Sequence, residues 1–178
     1  DRNLRICNSG IFCGSAKTIY DLLSKVKRNK TKREFLLTDI FKIASDDNIA
    51  VSLNLANEKE VMGVNNLYQL SIAEDYLQNK IRKKFMLKGV KLHNPKTIYF
   101  SYDTKVEPNV VIGPNNTFGK SVVIKKNVFI GSSNNIEHTV INDSAKVGPF
   151  SRLRGGTIIG KFAKIGNFVE IKNSKIGD

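Results

Sequence analysis

Arg154 and Lys172 are the residues whose spacing speaks most directly of chemistry. Two cations 18 positions apart would stand one above the other wherever the backbone completes a turn in 18 residues. Cations so paired can hold a phosphate by charge-assisted hydrogen bonds. Either one alone reads equally well as a solvated corner. Candidate bases and nucleophiles are few. His93 sits in a turn beside Pro95 and His138 follows Glu137, and both read as surface residues. Cys7 and Cys13 lie close together with no further ligand in view, so they read as reduced thiols, neither a disulfide framework nor a metal site. Asn8 and Asn65 occupy turn-like positions, where an amide is commonly structural but can both donate to and accept from a ligand.

The element that must position the two cations is a repeat. From Val106 an apolar residue returns every sixth position: Ile112, Phe118, Ile124, Ile130, Ile136 and, after one slip, Val147, Leu153, Ile159, Ile165 and Ile171. Gly follows directly at 113, 119, 131, 148, 160 and 166. A period of six fits neither an α-helix nor an isolated strand. It fits a coil that turns a triangular corner every six residues, each rung burying its apolar residue on its neighbours. This is the left-handed parallel β-helix of hexapeptide repeats, a fold that leans toward acyl transfer, a purely structural solenoid being the alternative. Three rungs make one coil, so Arg154 and Lys172 project from the same face at successive levels. About four coils fit between Lys105 and Asp178. The interval from Ile136 to Val147 is one residue short of two rungs and predicts a tightened corner.

Upstream, residues 4–13 read as β with a break at Ser9-Gly10. Ser15 caps a helix over about residues 16–28, whose Ile19, Leu22, Leu23 and Val26 form one stripe. Thr38 or Asp39 caps a second helix through Ala44, and residues 49–53 alternate as a strand. This β-α-α-β order predicts part of an α/β domain. A long helix spans about residues 66–88, with Leu67, Leu70, Tyr76 or Leu77, Ile81 and Phe85 on its inner side, and Gly89 as its stop. Lys80, Arg82, Lys83 and Lys84 read as its solvated face. Its length suits an arm joining two units.

The bulk numbers bound the partners. The chain has 178 residues, 29 basic against 16 acidic, and a formal charge of +13. The excess is spread, with 18 basic and 11 acidic residues over 1–104 and 11 and 5 over 105–178. A diffuse positive balance suits phosphorylated ligands, and with neither an aromatic RNA motif nor zinc-finger spacing no nucleic-acid partner is expected. No apolar run approaches a bilayer span and no signal-peptide pattern opens the sequence, so neither membrane insertion nor export is expected and the location expected is cytoplasmic. The sequence opens in a strand-like stretch and stops where another rung begins, which reads as a piece of a longer protein.

Several strings resemble one family, the bacterial bifunctional N-acetylglucosamine-1-phosphate uridyltransferase and glucosamine-1-phosphate acetyltransferase. They are Asn8-Ser9-Gly10-Ile11, Glu34-Phe35-Leu36-Leu37-Thr38-Asp39, Gly63-Val64-Asn65-Asn66-Leu67-Tyr68-Gln69-Leu70, Val147 to Arg154, and Ile165-Gly166-Asn167-Phe168-Val169-Glu170-Ile171-Lys172. Each is weak alone, but five in order on both sides of a connecting helix cover essentially the whole chain. The resemblance implies the C-terminal portion of a Rossmann-like α/β nucleotidyltransferase domain over 1–66, a helical arm and linker over 67–104, and the first coils of an acetyltransferase β-helix over 105–178. It further implies a homotrimer acting on sugar phosphates and nucleotides. The family's Gly-rich nucleotide loop, one magnesium-binding Asp and its acetyl-transfer His find no counterpart here.

For uridylyl transfer, a sugar 1-phosphate attacks the α-phosphate of UTP and expels pyrophosphate, and a hard Mg²⁺ with oxygen ligands suits that chemistry. By resemblance Asn65 gives its side-chain carbonyl to the metal, Asn8 hydrogen-bonds the sugar, and Glu34 and Thr38 line the sugar pocket, where Phe35 and Leu36 replace tyrosines. For acetyl transfer, an acetyl group passes from acetyl-CoA to the 2-amine of glucosamine 1-phosphate, which needs a base and cations for the phosphate. Arg154 and Lys172 match the family's phosphate-gripping pair, Glu170 is placed to orient them, and Gly155 replaces the family's Pro. The product implied is UDP-N-acetylglucosamine, with the isolated chain expected to be inactive. The rivals are a single-activity nucleotidyltransferase with a structural β-helix and a scaffold that has lost catalysis.

Overall fold

The computed structural model describes residues 6–29 and 33–178. The chain divides into two compact units, Asp1–Asn65 and Asn66–Asp178.

In the first unit, α1 (Ala16–Lys25) starts at Ser15, whose hydroxyl accepts the Thr18 N–H at 3.1 Å. That bond satisfies one of the orphan donors at the helix start. α2 (Asp39–Asp46) packs on it, with Leu22, Ile40 and Ala44 as the buried core. Thr38 precedes α2 but makes no side-chain capping bond. Its backbone is already αR, whereas a capping side chain reaches back to the first N–H groups from an extended residue. The strand expected at 49–53 does not form, nor does one over 6–13, residues 1–5 lying outside the described ones. A strand keeps its shape by exchanging backbone hydrogen bonds with a neighbour. Among the described residues of this unit the only such pairing is the antiparallel bridge between Arg28 and Phe35. Val51, Leu53 and Leu55 accordingly stay exposed.

The second unit opens with α3 (Leu67–Leu87), capped by Asn66, whose side-chain oxygen accepts the Gln69 N–H at 2.8 Å. It ends at Gly89, φ +85, where Gly89 N bonds Met86 O and Val90 N bonds Phe85 O. This is the reciprocal C-terminal closure that favours a residue able to take positive φ. The inward face differs from the apolar stripe expected. Leu67 is exposed, while Gln78 and Arg82 are buried beside Phe85 and the half-buried Ile81. Arg82 is therefore not part of a solvated face. Its guanidinium donates to Ile98 O at 2.9 Å, which makes its burial tolerable.

Five coils of three short strands follow. The first holds β1 (Lys91–Leu92), β2 (Tyr99–Phe100) and β3 (Lys105–Val106). The second holds β4 (Val111–Ile112), β5 (Thr117–Phe118) and β6 (Val123–Ile124), and the third β7 (Phe129–Ile130), β8 (Asn135–Ile136) and β9 (Thr139–Ile141). The fourth holds β10 (Lys146–Val147), β11 (Arg152–Arg154) and β12 (Thr157–Ile159), and the fifth β13 (Lys164–Ile165), β14 (Glu170–Lys172) and β15 (Lys175–Ile176). Each strand pairs in parallel with its counterpart one coil away, giving three five-stranded sheets around one core. The result is a parallel β-solenoid of the kind a left-handed β-helix represents.

The repeat's apolar residues stack inside, Phe100 on Phe118 at 5.0 Å with rings nearly parallel. Rungs begin earlier than Val106, since Leu92 and Phe100 already stand in register with Ile112 and Phe118. Glycines 113, 131 and 148 follow inward residues because a Cβ there would come within 2.7–2.8 Å of backbone in the next coil. The short interval is now located. Ile141, fully buried, is the rung between Ile136 and Val147, so the five-residue corner is the one at Glu137-His138. His138 turns it at φ +46. Pairings that span it, Phe129↔Lys146, Asn135↔Arg152 and Val123↔Val140, are each 17 residues apart on all three faces. The other corners of the first three coils use Asn109, Asn115, Ser121, Asn127 and Ser133 at positive φ, and Asn is favoured there.

Candidate functional site

The fourth and fifth coils bring Arg154 and Lys172 together. β11 and β14 pair with Arg152 opposite Glu170, Leu153 opposite Ile171 and Arg154 opposite Lys172. Leu153 and Ile171 point into the core, so the residues flanking them point out by strand alternation. Neighbouring strands lie about 4.8 Å apart, which sets the two cations at a separation one phosphate can bridge. Like charges directly opposite on a sheet repel, and one carboxylate offsets this. Arg154 Nη1 donates to Glu170 Oε1 at 3.0 Å, across the diagonal of the pair. The ion pair is partly exposed and contributes little to stability. It does fix one edge of the guanidinium and leaves its remaining donors and the Lys172 ammonium facing solvent.

The backbone beneath the cations is held more firmly than the side chains. Arg154 O accepts from Thr157 Oγ1 at 2.7 Å and from Asn173 N at 3.3 Å, and Lys172 O accepts from Ser174 Oγ at 2.8 Å. Thr157 is buried, at a small-residue position of the repeat, so its hydroxyl fixes the strand end that presents Arg154. Sequence reading passed over Thr157 and Ser174. Their signal is a hydroxyl residue two positions before the inward Ile159 and Ile176, as Thr139 stands two before Ile141.

Gly155 closes the site with φ +54, and Gly156 follows at φ +73. A proline is locked near φ −65°, so the turn that follows Arg154 here is one a proline could not make. A Cβ on Gly155 would lie 3.6 Å from Lys172 Cγ, an ordinary contact, so the glycine answers to conformation rather than to space.

The uridyltransferase candidates sit in the first unit, each in its own stretch of chain. Asn8 Oδ1 accepts the Gly10 N–H at 2.9 Å, and Gly10 has φ +77. Glu34 is exposed and its backbone carbonyl accepts from Asn29 N at 2.8 Å. Thr38 is exposed at the start of α2, and Asn65 is exposed just before α3. Among the described residues no hydrogen bond or ion pair links Asn8, Glu34 and Thr38 to one another. Nor, among those residues, do three His, Cys, Asp or Glu side chains gather as a metal site. One neutral amide oxygen from Asn65 is less than a hard dication requires, so the described residues do not by themselves fit Mg²⁺.

Elsewhere on the solenoid the perturbed carboxylates are structural. The hydrogen bond from Lys125, 2.9 Å away, holds the Glu107 carboxyl below its ordinary range, and Glu107 also accepts the Lys126 N–H at 3.1 Å one coil on. No helix among the described residues is long and apolar enough to cross a membrane.

Comparison with known proteins places this geometry. Residues 89–177 match the family model of the GMPPB C-terminal domain. The bifunctional protein GlmU of Bartonella quintana is 37% identical over 178 residues, all of this chain and 40% of the relative. That of Zymomonas mobilis is 42% identical over 177 residues, 99% of this chain and 39% of the relative. A solved serine acetyltransferase 1 of Entamoeba histolytica, in complex with L-cysteine, is similar at a TM-score of 0.39 and 13% identity, covering 90% of this chain and 61% of that one. A likeness so loose adds nothing to the assignment. The chain spans about 40% of the length of the curated relatives it matches, and over its own whole length it is homologous to proteins named bifunctional GlmU.

Proposed function

We propose that this chain serves an enzyme of UDP-N-acetylglucosamine synthesis. That enzyme moves an acetyl group from acetyl-CoA to glucosamine 1-phosphate, then a uridylyl group from UTP to the N-acetylated sugar phosphate. The observation that carries the reading is the outward pair Arg154 and Lys172, one opposite the other on adjacent coils. Its support is whole-length similarity to proteins named bifunctional GlmU.

In the acetyl transfer, Arg154 and Lys172 hold the sugar 1-phosphate. The guanidinium offers paired N–H donors and the ammonium a point charge, so between them they neutralise the phosphate and fix the sugar's position. Glu170 holds the guanidinium from the side away from the ligand. Fixing the phosphate carries the 2-amine to a set place, where orientation lowers the barrier to attack on the thioester carbonyl. In the uridylyl transfer Asn8, Glu34 and Thr38 contact the sugar nucleotide, and Asn65 would offer one neutral ligand to a Mg²⁺ held mainly by other groups, which would neutralise phosphate charge. Residues 1–66 then form part of the uridyltransferase domain, 67–104 the arm and linker, and 105–178 coils of a homotrimeric, cytoplasmic acetyltransferase. The isolated chain is proposed to bind sugar phosphate without turning it over.

The test is made in a full-length enzyme carrying this chain, supplied with glucosamine 1-phosphate, acetyl-CoA, UTP and Mg²⁺. UDP-N-acetylglucosamine should appear by mass spectrometry. It should vanish on Lys172→Ala and return when N-acetylglucosamine 1-phosphate is added. If only the N-acetylated sugar phosphate is ever used by the unaltered enzyme, the acetyl-transfer assignment is wrong.

A further inference from the structure

The first coil has no coil before it, so the outer edge of β2 should present bare N–H and C=O groups, the feature that lets sheets grow by adding strands. In this chain side chains of α3 occupy that edge. Gln78 Nε2 donates to Phe100 O at 2.7 Å, and Phe100 N donates to Gln78 Oε1 at 3.0 Å. On its other side β2 makes the ordinary ladder, Tyr99 N to Asn116 O and Ser101 N to Phe118 O. The Gln78 amide thus takes from Phe100 the same donor and acceptor that a neighbouring strand would take. Arg82, one helical turn on, extends the pattern by donating its Nε–H to Ile98 O at 2.9 Å. Asn79 Oδ1, 3.2 Å from Arg82 Nη1, holds the guanidinium in place.

The burial is deep. Gln78 and Arg82 are each under a tenth exposed, and Phe85 meets Phe100 edge to face at 4.9 Å, which caps the aromatic stack inside the solenoid. Polar side chains on the inner face of a helix cost free energy unless every bond is made, and both are paired to backbone at the strand edge. Solenoids need capping elements at their ends to remain soluble units.

We propose that α3 is a strand surrogate: Gln78 and Arg82 occupy the outer edge of β2 so that no strand from a second copy of this chain can add there. This is independent of the acetyl-transfer reading, since the cations lie on β11 and β14, three and four coils away.

The test uses the 178-residue chain with Gln78→Leu, which keeps the bulk and removes both bonds, and Gln78→Glu, which keeps the acceptor for Phe100 N–H but loses the donor. Amide exchange should speed at Phe100 about tenfold in the Leu variant and less in the Glu variant. The Phe129 and Lys146 amides, two and three coils on, serve as the control for intact folding and should not change. Sedimentation velocity should show concentration-dependent larger species for Gln78→Leu beyond those of the unaltered chain. Unchanged exchange at Phe100 would overturn the surrogate. Faster exchange without any added association would overturn its blocking role. Should Gln78→Leu also speed the Phe129 and Lys146 amides, the capping claim is decided by Gln78→Glu on the same two readouts.

Discussion

The two units of this chain bury their apolar residues in opposite ways. In the second unit twenty buried apolar residues, Phe85 of α3 among them, form one continuous cluster running the length of the coils. In the first unit the buried cluster is Leu22, Ile40 and Ala44, among the described residues. Both regions hold ample apolar side chains, and the difference lies in what each has to pack against. From β2 onward a rung finds its partner 17 or 18 residues away on the next coil, so the repeat supplies its own neighbours. The alternation at 49–53 supplies only half of a pairing, and Leu53 and Leu55 remain exposed.

Truncation of a side chain should sharpen that contrast most. Leu153→Ala removes a fully buried rung and should cost about 2–5 kcal/mol. Leu53→Ala should stay within about 0.5 kcal/mol. Urea unfolding of the two variants reads the difference, and equal midpoints would show that the first unit has a core of comparable weight.

A smaller effect is expected from adding one methyl. At Gly148 a Cβ would lie 2.7 Å from the backbone of Gly166, and neither strand can move without disturbing its sheet. Gly148→Ala should therefore cost about 1–3 kcal/mol. Gly63→Ala meets nothing within 4 Å and should be neutral. Thermal melts of the pair decide.

The α3 helix, the six-residue period and the 18-residue register of Arg154 with Lys172 could all be read from the sequence, because each depends on spacing alone. Other features depend on partners that spacing does not name. The pattern after Ile136 was followed straight to Val147, and Ile141 was missed because a five-residue corner breaks the count before the count resumes. Arg82 was read as wet because charge marks a solvated face, yet a strand edge with bare carbonyls can bury a guanidinium. Thr38 was read as a cap from its type, but a cap also needs an extended backbone. Asn8, Glu34, Thr38 and Asn65 rest on resemblance throughout, and the bonds at Asn8 and Glu34 are local ones.

The smallest effect is electrostatic. Glu107 is held ionised by Lys125, below its ordinary value of 4.5. A depressed carboxyl contributes stability that is present above its unfolded pKa and is lost as pH falls through the folded one. The corner tie from Glu107 to Lys126 N should therefore persist at pH 5 and loosen only as the pH falls below the ordinary glutamate range. In a pH series of melting temperatures, Glu107→Gln should flatten that acid limb slightly, and an identical acid limb would refute the assignment.

The central claim is that the solenoid presents a phosphate grip at Arg154 and Lys172. The most direct measurement is titration of glucosamine 1-phosphate into the chain, followed by ³¹P NMR. The unaltered chain should bind, and Arg154→Ala and Lys172→Ala should each weaken binding about 10- to 100-fold, as loss of a charged hydrogen bond does. Both variants should melt like the parent. A parent chain that leaves the ³¹P signal unmoved, or variants that bind as tightly as the parent, would contradict the account.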